Sequence, residues 1–353
     1  MNIAFVNSTR KWGGVKTWIL DFASQLAGHN HQVHIYGRQL EFVREAQERV
    51  GHGVTARFGP DFNPVAISFF LDEFKSKRIQ AVFVNIGKDL CTAGVAARLL
   101  GIPVIQQIGL PNDIPLRSKT RLLHRWIDPY FLCSSEYIRT GFLKSLPYLN
   151  EKKVKTILTA KQAGTTELGT ASPRNIVMTQ QLNEDKGHAT IFKALAAIDT
   201  PFKLHVAGTG RIEAELKQLA ANLDLGEKIV WHGFTRDIQR LLQQSDIFIL
   251  ASLVEGLPNT LQEALACGLL PVARDVGGVR EVLNSELEQW ILPYESGPTE
   301  FQNAIDRALS LSDEELIFFK KQARESCLQF CNIDLIYAEF EIWLCDLIGN
   351  NSK

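Results

Sequence analysis

One short segment restricts the fold more than any other. Residues 247–251 (Ile-Phe-Ile-Leu-Ala) are uninterrupted apolar residues, without the alternation of a strand that has one wet face. They read as a strand buried on both faces in a parallel sheet. Glu255, Gly256 and Pro258 follow, then a short helix that stops at Gly268. Pro258 suits a first helical turn, where its missing N–H costs nothing, and Gly268 suits the C-terminal stop. This pattern sets Glu255 at the carboxyl end of the strand and Glu263 on the helix. The amides of Gly256, Leu257 and Asn259 are expected to face the opening between them. Open α/β sheets bind ligands at such strand ends, and a helix N-terminus attracts phosphate. Two carboxylates beside an anion-binding turn suggest a polyhydroxylated, phosphorylated ligand.

The rest of the chain repeats that alternation. Residues 3–7 form a short apolar strand, and Gly13-Gly14 leads into a helix with Val15, Trp18, Ile19, Phe22 and Leu26 apolar. Adjacent glycines let backbone approach a ligand closely, although a tight turn would need them too. Further strands are expected at 33–36, 81–86, 104–108 and 130–133. A stretch rich in Gly, Thr, Ala and Ser at 159–173 reads as a linker. A second series follows, with strands at 175–178, 204–207, 229–231, 247–250 and 271–273. The fold class is therefore α/β, two Rossmann-like doubly wound domains facing a central cleft, the default active site. The expected domains are 1–165 and 166–332, with a terminal amphipathic helix at 333–353 packing back on the first. That helix carries Tyr337, Phe340, Trp343 and Leu347 on one side.

At 353 residues, two domains are the better expectation than one. The formal charge of −1 argues against a nucleic-acid partner held by bulk charge. No apolar run approaches the roughly 18 residues that span a membrane. Met1 leads straight into the first strand, leaving no room for a signal peptide. Six cysteines without a C-x-x-C pair read as buried thiols in a reducing cytosol. His29, His31 and His34 do not read as a metal site, because alternating positions entering a strand point to opposite faces. Residues 117–155 hold nine basic residues against three acidic. Leu122, Leu123 and Trp126 interleave with the first basic cluster, as on a helix lying on an anionic bilayer; a solvated face is the alternative.

The second half carries further motifs. Lys186-Gly187 follows its first strand and could place a cation on a phosphate. Gly208-x-Gly210 follows the next strand, but Glu213 stands where a dinucleotide fingerprint needs glycine, so an NAD-dependent oxidoreductase is a distant reading. Gly233-Phe234 after His232 and Gly277-Gly278 after Asp275 stand at two other strand ends. His232 by itself is more often a packed side chain than a catalyst.

The ordered set of Gly13-Gly14, Lys186-Gly187, Gly208-x-Gly210, His232-Gly233-Phe234, Glu255 with Glu263-Ala264, and Asp275-x-Gly277-Gly278 resembles retaining glycosyltransferases of the GT-B fold, family 4 (group 1 type). The resemblance implies a metal-independent hexosyl transfer, without cofactor, from a nucleoside-diphosphate sugar to an acceptor hydroxyl with retention. UDP-sugars are favoured over GDP-sugars. Glu255 and Lys186 would be catalytic, Glu255 facing the donor sugar and Lys186 neutralising the diphosphate. Glu263 would bond the ribose, and Phe234 would lie near the base. Gly13, Gly14, Gly208, Gly233, Gly256, Leu257, Asn259 and Thr260 would complete the donor site, with no metal. The leaving diphosphate gathers charge as the glycosidic bond breaks, so a preplaced cation and helix-end amides would stabilise the transition state. A saccharide or lipid-linked acceptor in cell-envelope polysaccharide, lipopolysaccharide or glycolipid synthesis is implied. The expected place is cytoplasmic, with 117–155 offering contact to the inner face of the cytoplasmic membrane.

Two departures from the family pattern stand out. Gln180-Gln181 replaces a Gly-Arg pair, so a second diphosphate cation is absent or comes from Arg10, Lys11 or Arg274. Gly109 stands where a histidine is common. A GT-B nucleotide-sugar epimerase and a catalytically silent nucleotide-binding scaffold therefore stay open as alternatives.

Overall fold

The apolar runs form two parallel sheets. The computed structural model describes residues 1–10, 12–235 and 237–351, the side chains of residues 350 and 351 excepted. Lys11, one of the three candidate cations, lies outside the described residues.

The first unit spans residues 1–160 and takes in the C-terminal helix from Asp334 onward. Its strands are β1 (Asn2–Asn7), β2 (Gln32–Gly37), β3 (Gly53–Thr55), β4 (Ala81–Val84), β5 (Val104–Ile108), β6 (Tyr130–Cys133) and β7 (Val154–Thr156), in the sheet order β3-β2-β1-β4-β5-β6-β7. The order reverses between β1 and β4, which opens a crevice at their carboxyl ends. Phe5 on β1 stacks on Phe83 of β4 at 4.6 Å, in the core. The C-terminal helix, Ile333–Asn351, covers this region: Phe340 lies 4.9 Å from Phe22 and 5.7 Å from Phe83. Glu341 meets His31 at 2.6 Å and Glu339 meets Lys155 at 2.6 Å.

The second unit, Lys161–Ile333, holds β8 (Arg174–Met178), β9 (Phe202–Ala207), β10 (Ile229–Gly233), β11 (Ile247–Leu250), β12 (Leu270–Arg274) and β13 (Ile291–Leu292), in the order β10-β9-β8-β11-β12-β13. Here the reversal falls between β8 and β11, both with buried apolar residues. The division comes at Ala160, earlier than the break after residue 165 expected from composition. Backbone hydrogen bonds explain it: Lys161 N donates to Cys331 O and Gly164 N to Ala266 O, each at 2.8 Å.

The edge strands β3, β7 and β13 escaped the sequence reading, being too short for periodicity to reveal. Within the basic segment, Leu123 turns inward while Leu122 and Trp126 on the same helix, Ser118–Ile127, are exposed. Only part of the interleaved apolar set therefore faces outward. Several cations there are already paired, as Lys119 with Asp61 and Lys153 with Asp128, both at 2.6 Å.

Candidate active site

In the second unit the loops after β8 and β11 flank the point where the strand order reverses. After β8 the chain makes a one-turn 3₁₀ helix, Glu184–Lys186, and turns at Gly187 with φ of 73°. A Cβ at Gly187 would stand 2.2 Å from Ala251 O, so only glycine lets this turn dock on the loop after β11. Leu253 N donates to Asp185 O at 2.7 Å and locks the two loops together. That docking carries Lys186 Nζ to 2.8 Å from Glu255 Oε1, across 69 residues of sequence. The ammonium also donates to Val254 O at 3.2 Å and lies 3.3 Å from Asp185 Oδ2. Both side chains of the Lys186–Glu255 pair are largely covered, with 17% and 16% exposed.

Glu255 is followed by Gly256, whose carbonyl accepts from Gly278 N at 2.7 Å. Gly277 has φ of 62°, and a Cβ there would lie 2.4 Å from that same carbonyl. The Gly277-Gly278 pair thus braces the 255–257 turn by close backbone approach. The amide N–H groups of Gly256 and Leu257 have no acceptor among the described residues. The helix Asn259–Cys267 starts one residue later than expected, with Pro258 as its N-cap in an extended conformation, and ends at Gly268 with φ of 75°. The amides of Gly256 and Leu257 and the helix dipole give this end a positive potential.

Glu263 lies one turn along that helix, after Asn259 and Thr260. Its Oε1 is 3.2 Å from Lys161 Nζ, and the lysine side chain is only 11% exposed. Sequence reasoning missed Lys161, an isolated lysine in a linker with no motif around it. On the other side of the reversal point, Gly208 N donates to Gly233 O at 2.8 Å, joining the loops after β9 and β10. Phe234 beyond them is 61% exposed, a free aromatic surface. His232, also exposed, meets His205 at 3.0 Å, so it is not packed inside.

The departures from the family pattern have plain structural correlates. Gln180 is buried and donates from Nε2 to Ile249 O at 3.1 Å, while Gln181 accepts from Asn183 Nδ2 at 3.1 Å. Neither brings a cation. Arg274 cannot stand in either: it is 3% exposed, and its guanidinium donates to the carbonyls of Ala251, Tyr294 and Ser296. Burial also lowers its pKa. Arg10 is exposed, in the first unit.

Gly13 and Gly14 stand in the first unit, at its own reversal point. Gly13 is the extended N-cap of helix Gly14–Gly28, and a Cβ there would meet nothing within 4 Å. The loop is anchored from below by two buried charges. Asp89 accepts from Ser8 N at 2.9 Å, Ile86 N at 3.1 Å and Asn85 N at 3.3 Å, tying the loops after β1 and β4. Burial raises its pKa to about 6, against the pull of these bonds. Lys16 Nζ donates to Thr9 O at 3.0 Å and Gln39 Oε1 at 2.8 Å; burial lowers its pKa to about 8, partly offset by Asp89.

Two doubly wound units, each with a glycine loop at its reversal point, define the class of Rossmann-like two-domain proteins to which sugar-transferring enzymes of the GT-B fold belong. The model of Glycosyltransferase Family 4 matches residues 12–157, and that of Glycosyl transferases group 1 matches residues 168–326. The chain belongs to the group 1 glycosyltransferases of the GT-B fold. It is 33% identical over 112 residues to an N-acetylgalactosamine-N,N'-diacetylbacillosaminyl-diphospho-undecaprenol 4-alpha-N-acetylgalactosaminyltransferase of Campylobacter jejuni, a match covering 31% of each chain. It is 30% identical over 156 residues to the amylovoran biosynthesis glycosyltransferase AmsK of Erwinia amylovora, covering 41% of this chain and 38% of the relative. The chain thus spans less than half the length of the curated relatives it matches. In fold it is similar to Anabaena Alr3699/HepE in complex with UDP-glucose, with a TM-score of 0.83 and 18% identity over 98% of this chain and 100% of that one.

Proposed function

We propose that the protein transfers a sugar, with retention, from a nucleoside-diphosphate sugar to an acceptor hydroxyl in the synthesis of an envelope polysaccharide or glycolipid. The observation that carries this reading is the Lys186–Glu255 contact beside the unpaired amides of Gly256 and Leu257. An ammonium has three donors, so Lys186 can keep Glu255 and Val254 O and offer the third to a diphosphate oxygen. The cation and the helix-end amides then meet the charge that builds on the leaving group, without reorganisation at the moment of reaction. Lys186 and Glu255 act at the reacting end. Glu263, held by Lys161, takes the ribose hydroxyls, and Phe234 offers its exposed ring to the base. Gly208, Gly233, Asn259 and Thr260 complete the donor-binding set.

UDP is the preferred nucleotide; support comes from the UDP-glucose complex of the similar Anabaena protein. A saccharide or lipid-linked acceptor is supported by the Campylobacter relative, whose name specifies a diphospho-undecaprenol-linked sugar. Among the described residues no helix is long and apolar enough to cross a membrane. The exposed Leu122 and Trp126 with Arg121 and Arg125 would instead hold the protein on an anionic inner leaflet. Retention of the protein by anionic liposomes at low salt, and its release at high salt, tests that contact.

The reading is tested by release of UDP from a panel of UDP-sugars, with and without a chelator. Slow release from one sugar, lost in Lys186→Ala and indifferent to chelator, supports a metal-independent transferase. A changed sugar without nucleotide release would instead identify an epimerase, and binding without any conversion a silent scaffold.

A further inference from the structure

The loop that carries Glu255 has no regular structure between β11 and the helix Asn259–Cys267, so its backbone must find hydrogen bonds elsewhere. Groups from other elements take several of its carbonyls. Lys186 Nζ donates to Val254 O at 3.2 Å, and Gly278 N to Gly256 O at 2.7 Å. The Tyr294 hydroxyl, from the turn after β13, donates to Leu253 O at 3.3 Å. Ala251 O, at the start of the loop, accepts from Arg274 Nε at 3.2 Å.

Arg274 is the last residue of β12, which lies between β11 and β13 in the sheet. Its Nη1 donates to Tyr294 O and, at 2.8 Å, to Ser296 O. One planar fork thus holds carbonyls of the loops on both sides of β12, a span that the compact ammonium of a lysine does not match. The guanidinium stands 5.3 Å from the ring centroid of Phe301, which is buried on the helix Pro298–Leu309. Arg274 is 3% exposed and has no carboxylate partner among the described residues. A buried cation without a counter-charge is costly unless its donors are taken. Here the carbonyls of two loops take them.

The carbonyl that Arg274 holds is also the seat of the Lys186 turn. Gly187 packs so closely that a Cβ there would lie 2.2 Å from Ala251 O and 2.8 Å from Ala251 Cβ. Lys186 precedes that glycine, and Glu255 stands on the loop that Ala251 begins, so both depend on where Ala251 sits. Arg274 makes no hydrogen bond to either side chain among the described residues. We propose that Arg274 is a positioning residue for the transfer, holding Ala251 from beneath so that Lys186 and Glu255 meet. Its effect on the transfer rests on the glycosyl-transfer reading above.

Acylation of the full chain with acetic anhydride, mapped by mass spectrometry, tests the positioning without any substrate. Loosening the loop exposes the amine, so in Arg274→Gln Lys186 should acylate about fivefold faster than in the wild type. Lys161, held by Glu263 in the same unit, should keep its rate. Arg274→Lys, which keeps the charge and loses the fork, should show the same split and serves where Arg274→Gln does not fold. An unchanged Lys186 rate, or an equal rise at Lys161, overturns the proposal. Calorimetry with UDP reads the consequence. Arg274→Gln should weaken UDP about tenfold in the wild-type background and less than about twofold in Lys186→Ala, because residues that act through one contact are not additive. The same loss in both backgrounds also overturns the proposal. Faster acylation of Lys186 alone, with no UDP binding by the wild type, would sink the donor reading and leave the positioning standing.

Discussion

Both units bury a lysine and an aspartate, but at opposite ends of their sheets. In the second unit Asp246, just before β11, meets Lys320 Nζ at 3.0 Å, with side chains 2% and 5% exposed. Lys320 also donates to Gly169 O at 2.7 Å, and Asp246 accepts from Asn175 N at 2.9 Å. That cluster stands at the amino edge of the sheet, opposite the Lys186–Glu255 pair. In the first unit Asp89 and Lys16 lie at the carboxyl edge, directly under the glycine loop. One unit separates its internal charges from its site; the other builds its loop upon them. The difference predicts that similar substitutions will have dissimilar consequences.

The largest effect is expected at Lys320→Met, which strands Asp246 in the core. Losing one partner of a buried pair costs about 3–5 kcal/mol, read as a lower denaturation midpoint, with the donor KM of the surviving folded protein unchanged. A shifted KM would break the comparison. Lys186→Ala should do the reverse. It removes one stabilising donor, expected to lower kcat by about 10²–10³-fold. The melting temperature should fall less than in Lys320→Met, because the Lys186 and Glu255 side chains keep 17% and 16% exposure against 5% and 2% for the core pair. Asp89→Ala should move both quantities together, since three amides lose their acceptor and two loops lose their tie. A pure stability loss there would show that the loop needs no anchoring.

Gly13→Ala gives a smaller and sharper contrast. Its φ of −172° suits any residue and the added methyl meets nothing within 4 Å, so stability should hold. If a diphosphate approaches that backbone, KM for the donor should rise by about tenfold, equivalent to about 1.4 kcal/mol of lost binding. The smallest expected effect is on pH. Burial lowers the pKa of His34, His124 and His188 to about 4 in the folded protein, with Lys186 adding to the effect at His188. Unfolded histidine titrates near 6.5, so between these values the unfolded state binds more protons. The three histidines should therefore add no slope above pH 6.5 and lower stability as pH drops from 6.5 towards 4, opposed in part below pH 6 by Asp89, whose raised pKa makes the folded state bind more protons there. His188→Phe should flatten part of that slope in urea titrations; an unaltered slope would contradict the assignment.

Legibility from sequence followed the same division. The long apolar strands and the Pro258 and Gly268 boundaries could be read because local periodicity and backbone chemistry dictate them. Lys186 and Glu255 could be placed at strand ends, but their 2.8 Å contact depends on Gly187 docking against Ala251, a tertiary event. Lys161 was invisible, since nothing local marks a linker lysine that will meet Glu263. At Gly109 the sequence shows a missing side chain, but not that Asp113, four residues further along, turns back to accept from the Gly109 amide. Arg274 failed as a candidate cation for the opposite reason: its charge was legible, its burial beneath the loop was not.

The central claim is that the reversal point of the second unit binds a nucleoside diphosphate through Lys186 and Glu263. Isothermal calorimetry with UDP on the wild type, Lys186→Ala and Glu263→Ala measures it most directly. Hydrogen bonds to charged groups contribute about 1.5–3 kcal/mol each, so UDP should bind the wild type and lose about tenfold to a hundredfold in either variant. Equal UDP affinity in all three proteins, or none in the wild type, would contradict the account.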